Sequence, residues 1–320
     1  MILSTKQAMD AVKPQSVLVT GGRGFIGRAL CNLLQRQGYR VFCLDRPADP
    51  PARFLVGAGE CQIACDISQA QQLRRVFEAD RIDGIVHLAA ILPTAAQREP
   101  LRAIEVNVTG SLNLLEMARE FRVRRFVFAS SLSVYGTYPD EEVVTETHRA
   151  APEDVYGATK LCLERVGDTY RTRFGLDFVS LRIGRVIGPG SGSVSSAWRS
   201  QVFEALQSAA AAEISLPYRE SERLLLAHVD DVAGMLLQLL AAERPSHRLY
   251  NAACESMTAS ELKWAVESLN PRVRVCLGNE EAAGNPRRLA SQRFTEEFGF
   301  LTRSISDHLK AAAGRQVPRK

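Results

Sequence analysis

The chain has 320 residues, 46% of them hydrophobic and 24% charged, which is the balance of an ordinary globular protein long enough to bury one large or two modest cores. A formal net charge of +4, spread as alternating basic and acidic residues with 7% aromatics, argues against a nucleic-acid partner and gives a mild preference for anionic ligands. The opening MILSTKQAMDAVKPQ has no long apolar core and no later stretch reaches the length of a membrane span, so a soluble, cytoplasmic protein with no membrane partner is expected.

In chain order, the first β-branched run is SVLVT at 16–20, followed at once by Thr20-Gly-Gly-Arg-Gly-Phe-Ile-Gly27 and a helix opening near Phe25. Glycines at 21, 24 and 27 between a strand and a helix are what a dinucleotide cradle requires. Gly21 permits the tight turn, Gly24 lets backbone amides reach a pyrophosphate, and Gly27 lets the helix pack closely with its N-terminus facing the anion. A second run, 39–45, ends on Asp45, where a carboxylate can accept both ribose hydroxyls of an adenosine and so favours NAD. Arg46 follows and can pair with a 2′-phosphate instead, which makes NADP the alternative, although Asp45 would repel that phosphate. A third run, 61–66, closes on Asp66, read either as an adenine contact or as a helix-capping or loop residue.

An amphipathic stretch at 68–79 takes Ser68 as its expected cap. The next strand, 83–90, ends on Ala89 and Ala90, small enough for a cofactor to pass over the sheet edge or simply to pack. A helical pattern at 110–121 and strands at 124–131 and 176–184 complete the alternation expected of a doubly wound parallel sheet in the α/β class. Beyond Val186 the rhythm changes to GPGSGSVSS, an Ala-rich helix over 195–212, a helix from Asp230 to Ala242, and a third opened by the capping-box pattern Thr258-Ala-Ser-Glu261. These pieces are too few for an independent sheet and predict a smaller C-terminal lobe against the strand ends. The expected division is 1–185 with parts of 225–255 as the dinucleotide-binding domain, 186–310 as an α/β substrate lobe, and 311–320 as a basic tail.

Seven cysteines are an odd number scattered mostly through apolar segments, which predicts reduced thiols. Cys61 and Cys65 alternate along a predicted strand with no second Cys/His pair to answer them, so no metal site is expected.

Tyr156-Gly-Ala-Thr-Lys160 opens a helical segment and puts a phenol and an ammonium four residues apart on one face. A phenol is a poor base at neutral pH, and a nearby ammonium is expected to stabilise its phenolate. The spacing alone also fits an exposed helix pair. Its partners come from the strand running into Phe128-Ala-Ser-Ser-Leu-Ser-Val-Tyr-Gly136, where Ser131 can hold a substrate oxygen and Ser133, two residues on, faces the same side. Either serine can alternatively be a turn or cap residue.

Gly21-x-x-Gly24-x-x-Gly27, HLAA at 87–90, EVNVTGSLNLLE at 105–116, SSLSVYG and YGATK together resemble the extended short-chain dehydrogenase/reductase family, the NAD-dependent epimerase/dehydratase group, over about residues 16–190. The resemblance implies a Rossmann-type sheet and a Ser131, Tyr156, Lys160 active site. It also implies Asn107 on a mid-domain helix, helping to position the lysine through the backbone or water. The expected cofactor contacts are Gly21, Gly24, Phe25, Ile26, Gly27, Asp45, Arg46, Asp66, Ile67, Leu88, Ala89, Ala90, Asn107 and Ser130, together with Tyr156 and Lys160. Many relatives are homodimers, which here would pair through helices at 101–121 and 156–174.

In such enzymes the tyrosine takes the hydroxyl proton as hydride leaves for the nicotinamide. Sugar 4,6-dehydratases of the family resemble one another in an Asp-Glu pair just before V-Y-G. Leu132 and Ser133 stand there in this chain, so dehydration is not expected. Nucleotide-sugar relatives usually have Asn where this chain has Arg185 and Arg where it has Leu224, beside Arg223. Arg185 can bind a carboxylate bidentately, hold a phosphate, or pack as a surface cation. Ser193, Ser195, Trp198 and Arg199 are candidate substrate contacts, with Trp198 as core and Arg199 as a solvated cation the alternative readings. His228 and Asp230 resemble the family's H-V-x-D element, which is chiefly structural. The expected activity is dehydrogenation of a small polar hydroxyl substrate such as a sugar, sugar acid or hydroxy acid. The alternatives are epimerisation with tightly bound NAD and a non-catalytic dinucleotide sensor, against which the intact Ser-Tyr-Lys set argues.

Overall fold

The computed structural model describes residues 15–47, 60–190, 196–208 and 210–314. The N-terminal alternation produces β1 (Ser16–Thr20), α1 (Phe25–Arg36), β2 (Arg40–Asp45), β3 (Glu60–Ala64), α2 (Ala70–Ala79) and β4 (Gly84–His87). Then come α3 (Pro93–Arg98), α4 (Pro100–Ile104), a π-helical stretch (Glu105–Gly110) continuing into α5 (Ser111–Glu120), and β5 (Arg125–Ser131). A short β6 (Val143–Val144), the long α6 (Val155–Phe174) and β7 (Phe178–Ile183) follow. The C-terminal part contains β8 (Arg185–Ile187), α7 (Trp198–Gln207), β9 (Ala212–Tyr218), β10 (Arg223–His228), α8 (Val229–Ala241) and β11 (Leu249–Asn251). It ends with β12 (Glu255–Thr258), α9 (Ala259–Leu269), β13 (Val273–Glu280), β14 (Arg288–Leu289), α10 (Gln292–Phe298) and α11 (Ile305–Ala313).

Seven strands form one sheet in the order β11-β7-β5-β4-β1-β2-β3, and every pairing in it is parallel. The order reverses between β1 and β4, so this is the doubly wound Rossmann-type arrangement with a crevice at the C-terminal ends of those two strands. All residues of β1, β4, β5 and β7 are buried, as continuous apolar runs covered on both faces must be. One face packs Val17, Val127 and Val179 against Leu30 and Leu34 of α1 and Leu236 and Leu239 of α8. The other sets Leu18, Phe126 and Phe178 against Leu73, Leu114 and Leu163 of α2, α5 and α6. Asp154 caps α6 by accepting from the Gly157 amide at 2.6 Å, and Gly175 in the left-handed region ends it.

Three expectations change. The C-terminal elements do build sheets: β12-β10-β8 with three strands and β13-β9 with two, over a separate core that includes Trp198, Leu216, Leu226 and Val266. The Ala-rich helix is shorter than 195–212, because Ser208 turns extended and Glu213-Ile-Ser-Leu216 alternates exposed and buried, the period of a strand. Ser68 does not cap α2; its hydroxyl and amide both donate to Asp66, at 2.8 and 2.9 Å, and Gln69 takes the cap position. The capping box at Thr258 and Glu261 forms as read. Ser193, Ser195 and the tail from 315 lie outside the described residues.

Candidate active site

The glycine loop closes β1 onto α1. Gly21 sits at φ +69°, and a Cβ there would lie 2.8 Å from the Ala89 amide nitrogen, so both the backbone conformation and the contact with the end of β4 demand glycine. A Cβ on Gly27 would lie 2.2 Å from the Gly21 carbonyl oxygen. The loop is therefore wound tightly enough that α1 begins directly over β1. Gly24 is its N-cap and has no side chain to satisfy the first-turn amides of Phe25 and Ile26, which leaves the anion-attracting end of the helix uncapped. Gly24's own amide is spent on the Gly21 carbonyl at 2.9 Å. These features fit the pyrophosphate of a dinucleotide.

Asp45, at the end of β2, accepts from the backbone amides of Arg23 (3.1 Å) and Arg46 (2.9 Å), which fixes its carboxylate beside the loop. Asp66 is fixed by Ser68 and Arg102. Burial tends to raise its carboxyl, but hydrogen bonds from Ser68 and an ion pair with Arg102 at 2.7 Å hold it below the usual range. Ile67 is buried against Gly110. Leu88 and Ala89 abut Gly21 through their backbone, and the Leu88 amide donates to the Thr20 carbonyl at 3.1 Å.

Ser131, Tyr156 and Lys160 are brought together at the C-terminal end of β5 and the start of α6, and all three are buried. The Ser131 hydroxyl is close enough to the Tyr156 phenol to favour its ionised form. The Ser133 hydroxyl lies 3.2 Å from that of Ser131, in a one-turn 3-10 segment, Leu132–Val134. Lys160 donates to the Ala129 carbonyl at 2.8 Å and stands 4.8 Å from the centre of the Phe128 ring and 5.6 Å from that of Tyr156. Burial pushes the Lys160 ammonium down to about 7, with Glu164 pulling the other way. Burial pushes the Tyr156 phenol up to about 12, opposed by the Ser131 hydrogen bond and the charge of Arg199. Desolvation thus outweighs what lowers the phenol, and the cation among the lowering influences is Arg199 in place of the expected lysine.

Asn107 sits in the π-helical stretch and clamps the Ile91 peptide, accepting from its amide at 2.7 Å and donating to its carbonyl at 3.1 Å. It also donates to Thr159 at 3.2 Å, whose hydroxyl donates to the Tyr156 carbonyl at 2.7 Å. Asn107 therefore braces the first turn of α6 through Thr159. The Ser130 hydroxyl, in turn, donates to Glu164 at 2.5 Å. Glu164 accepts two hydrogen bonds from Arg182, at 2.9 and 2.6 Å, with both side chains more than nine-tenths buried. The sequence reading missed this pair. Glu164 is four residues beyond Lys160, a readable spacing, but Arg182 joins it only through the β5–β7 register that sets Ser130 beside Arg182.

Beyond β7, Arg185 lies 5.6 Å from the Tyr218 ring centre and Arg199 lies 5.8 Å from that of Trp198. Trp198 itself belongs to the C-terminal core. Leu224 is fully buried there, and Arg223 donates to the Ser256 carbonyl at 3.3 Å. His228 caps α8 by accepting from the Asp230 amide and stacks on His308 at 3.7 Å.

A Rossmann-type sheet with a glycine cradle at its switch point and a buried tyrosine–lysine pair beside it defines a nicotinamide-dependent enzyme of the oxidoreductase type. The sequence profile of the NAD-dependent epimerase/dehydratase family matches residues 17–253, and the chain belongs to that family; its cofactor is NAD. It is 34% identical over 182 residues to a UDP-glucose 4-epimerase of Lacticaseibacillus casei, a match covering 54% of this chain and about half, 52%, of that protein. It is 30% identical over 269 residues to the mitochondrial L-threonine 3-dehydrogenase of Bos taurus, covering 82% of this chain and 70% of that one. The solved UDP-glucose 4-epimerase of Thermus thermophilus in complex with NAD superposes with a TM-score of 0.78 at 26% identity, over 94% of this chain and 98% of that one. No helix among the described residues is long and apolar enough to cross a membrane.

Proposed function

We propose that the protein is a dehydrogenase acting on a secondary hydroxyl of a small polar substrate, a sugar, sugar acid or hydroxy acid. Tyr156 is the proton-transfer group, Ser131 its partner on the substrate oxygen, and Lys160 the cation behind it. The observation that carries this reading is the joint burial of Ser131, Tyr156 and Lys160, with the lysine one turn along α6 and 5.6 Å from the centre of the Tyr156 ring. Bound NAD supplies the acceptor for the substrate's hydride. The chain then has to align the hydroxyl, remove its proton and exclude water. Ser131 donates to the substrate oxygen or accepts from it, Tyr156 exchanges the proton, and the buried setting keeps both hydroxyls from bulk solvent. The uncapped amides at the start of α1 hold the pyrophosphate, Asp45 the adenosine ribose and Lys160 the nicotinamide ribose.

Leu132 and Ser133 supply no acid–base pair for elimination, which supports the exclusion of 4,6-dehydration. Epimerisation is the second reading, favoured by the 34% identity to a UDP-glucose 4-epimerase over half of the chain. Arg185 and the buried Leu224 weigh against a nucleotide diphosphate seat. We read the protein as a homodimer in the cytoplasm, a pairing supported by the exposed apolar Leu101, Ile104 and Phe174 at the outer helices α4 and α6.

Tyr156→Phe keeps the ring and loses only the hydroxyl. Turnover is expected to fall by orders of magnitude while the NAD dissociation constant changes little. A screen of sugars, sugar acids and hydroxy acids for NADH absorbance, with epimer formation followed by NMR, supplies the substrate. Unchanged turnover in Tyr156→Phe would refute the assignment.

A further inference from the structure

Two arginines meet at the mouth of this site with no acid between them among the described residues. Arg185 opens β8, two residues beyond Ile183, and Ile183 pairs in register with Ser131, so the guanidinium of Arg185 leaves the sheet at the same end as the Ser131 hydroxyl. Gly184 keeps that path tight: a Cβ there would lie 3.2 Å from Leu132, the residue after Ser131. Arg199 comes from the first turn of α7, and its carbonyl accepts the Gly188 amide at 3.0 Å, tying the helix to the end of β8. Its guanidinium lies 5.8 Å from the centre of the Trp198 ring, feels the charges of Arg185 and Tyr156, and has a buried Nε with no acceptor. The other such atom among the described residues, Arg182 Nη1, belongs to a guanidinium already neutralised by Glu164.

Among the described residues neither Arg185 nor Arg199 forms an ion pair, although the rest of the surface is laced with arginine–carboxylate contacts such as Arg102–Asp66 and Arg287–Asp140. Burial, and then the like charge of Arg185, pushes the Arg199 guanidinium down. Two like charges held together on an aromatic floor of Trp198 and Tyr218, whose rings meet edge-on at 6.1 Å, are unfavourable unless something neutralises them. No carboxylate of the chain does so among the described residues. A planar or tetrahedral oxyanion fits, because guanidinium donors pair with both geometries bidentately.

We propose that Arg185 and Arg199 form the seat of a substrate oxyanion, a carboxylate or phosphate carried within a few bonds of the carbon whose hydroxyl meets Tyr156. The seat rests on the reading of Tyr156 as the mark of the reacting hydroxyl. Because Arg185 stands two residues beyond Ile183, the register partner of Ser131, the anion and the reacting carbon belong to one compact molecule, a hydroxy acid or a small phosphorylated alcohol, in preference to a neutral polyol.

The test uses NAD-loaded protein and ligand-observed NMR titration with three unreactive probes: isobutyrate, its neutral isostere isobutyramide, and methyl phosphate. At least one anion is expected to bind more than tenfold more tightly than the amide, and which of the two does so identifies the headgroup. Arg185→Gln and Arg199→Gln should each weaken that anion by about 10- to 100-fold while leaving the amide unchanged. Arg199→Lys, which keeps the charge but loses the fork, serves where Arg199→Gln does not fold, and should fall between. Equal binding of amide and anions, or anion binding indifferent to both arginines, overturns the seat. The titration repeated in Tyr156→Phe separates this from the catalytic reading. Anion binding that persists there, with the wild-type protein reducing NAD with no hydroxy acid or phosphorylated alcohol, leaves the seat and removes the dehydrogenase. Turnover of neutral polyols with no anion binding does the reverse.

Discussion

Replacing Glu164 with glutamine removes one charge from a pair that has almost no access to water. The side chains of Glu164 and Arg182 are 7% and 3% exposed, their closest approach is 2.6 Å, and the Arg182 guanidinium also lies 4.4 Å from the centre of the Tyr135 ring. Glutamine keeps the shape but turns an amide donor toward a guanidinium that can only donate, and the Ser130 hydroxyl loses its charged acceptor. Breaking a buried pair in this way strands the remaining charge and costs about 3–5 kcal/mol. Arg74 and Glu120 provide an internal contrast, since both are 42% exposed and water screens their charges, and Glu120→Gln should cost far less. Urea denaturation of the cofactor-free protein, followed by circular dichroism and fluorescence, compares the two variants at a common midpoint. Adding Arg182→Met to Glu164→Gln should recover much of the loss, because the stranded charge leaves with it. If Glu164→Gln and Glu120→Gln fall within about 0.5 kcal/mol of each other, burial is not what gives the Glu164–Arg182 pair its weight.

Gly27→Ala places a methyl carbon 2.2 Å from the Gly21 carbonyl oxygen and 2.7 Å from Gly22 backbone atoms, so α1 must back away from the loop. A stability loss of about 1–3 kcal/mol is expected, with NAD affinity down by more than tenfold in calorimetric titration; wild-type affinity would remove the loop from the cofactor site. Lys160→Met tests the buried lysine through pH. Its ammonium is held at about 7 in the fold against about 10.4 unfolded, so between these values the unfolded chain binds more protons and wild-type stability rises with pH. The variant lacks this dependence: any stability advantage it has should be largest below pH 7 and shrink toward pH 10, and parallel pH profiles would contradict the assigned cause.

The sheet was legible because its strands are buried on both faces, so SVLVT, DGIVH and RFVFASS read as apolar runs whatever their neighbours. The glycine loop was legible because Gly21 and Gly27 are required by contacts a few residues away. What escaped needs long-range register. Nothing near Arg182 announces that a strand pairing 52 positions from Ser130 will deliver it to Glu164. The strand at Ala212–Tyr218 was hidden by the alanines before it, which extend a helical pattern until Glu213 and Ser215 turn outward. Ser68 has the identity of a cap, yet Asp66 two residues earlier captures both its amide and its hydroxyl, a competition between local hydrogen bonds that residue preference alone does not decide.

Burial acts in opposite senses on the two central groups, keeping the proton on Tyr156 and loosening it from Lys160. A phenol that keeps its proton at neutral pH would, in the proposed mechanism, give it to a carbonyl oxygen more readily than it would take one from an alcohol. Oxidation requires positive charge near the phenol, and in this chain Arg199 provides part of it. An oxyanion seated on Arg185 and Arg199 would spend that charge, raise the phenol again and tilt the balance toward reduction. Alcohol oxidation should then gain from rising pH more steeply for an anionic substrate than for a neutral one. On the proposed seat, the specificity of the arginine pair would be coupled to the direction of proton transfer through a single residue, Arg199.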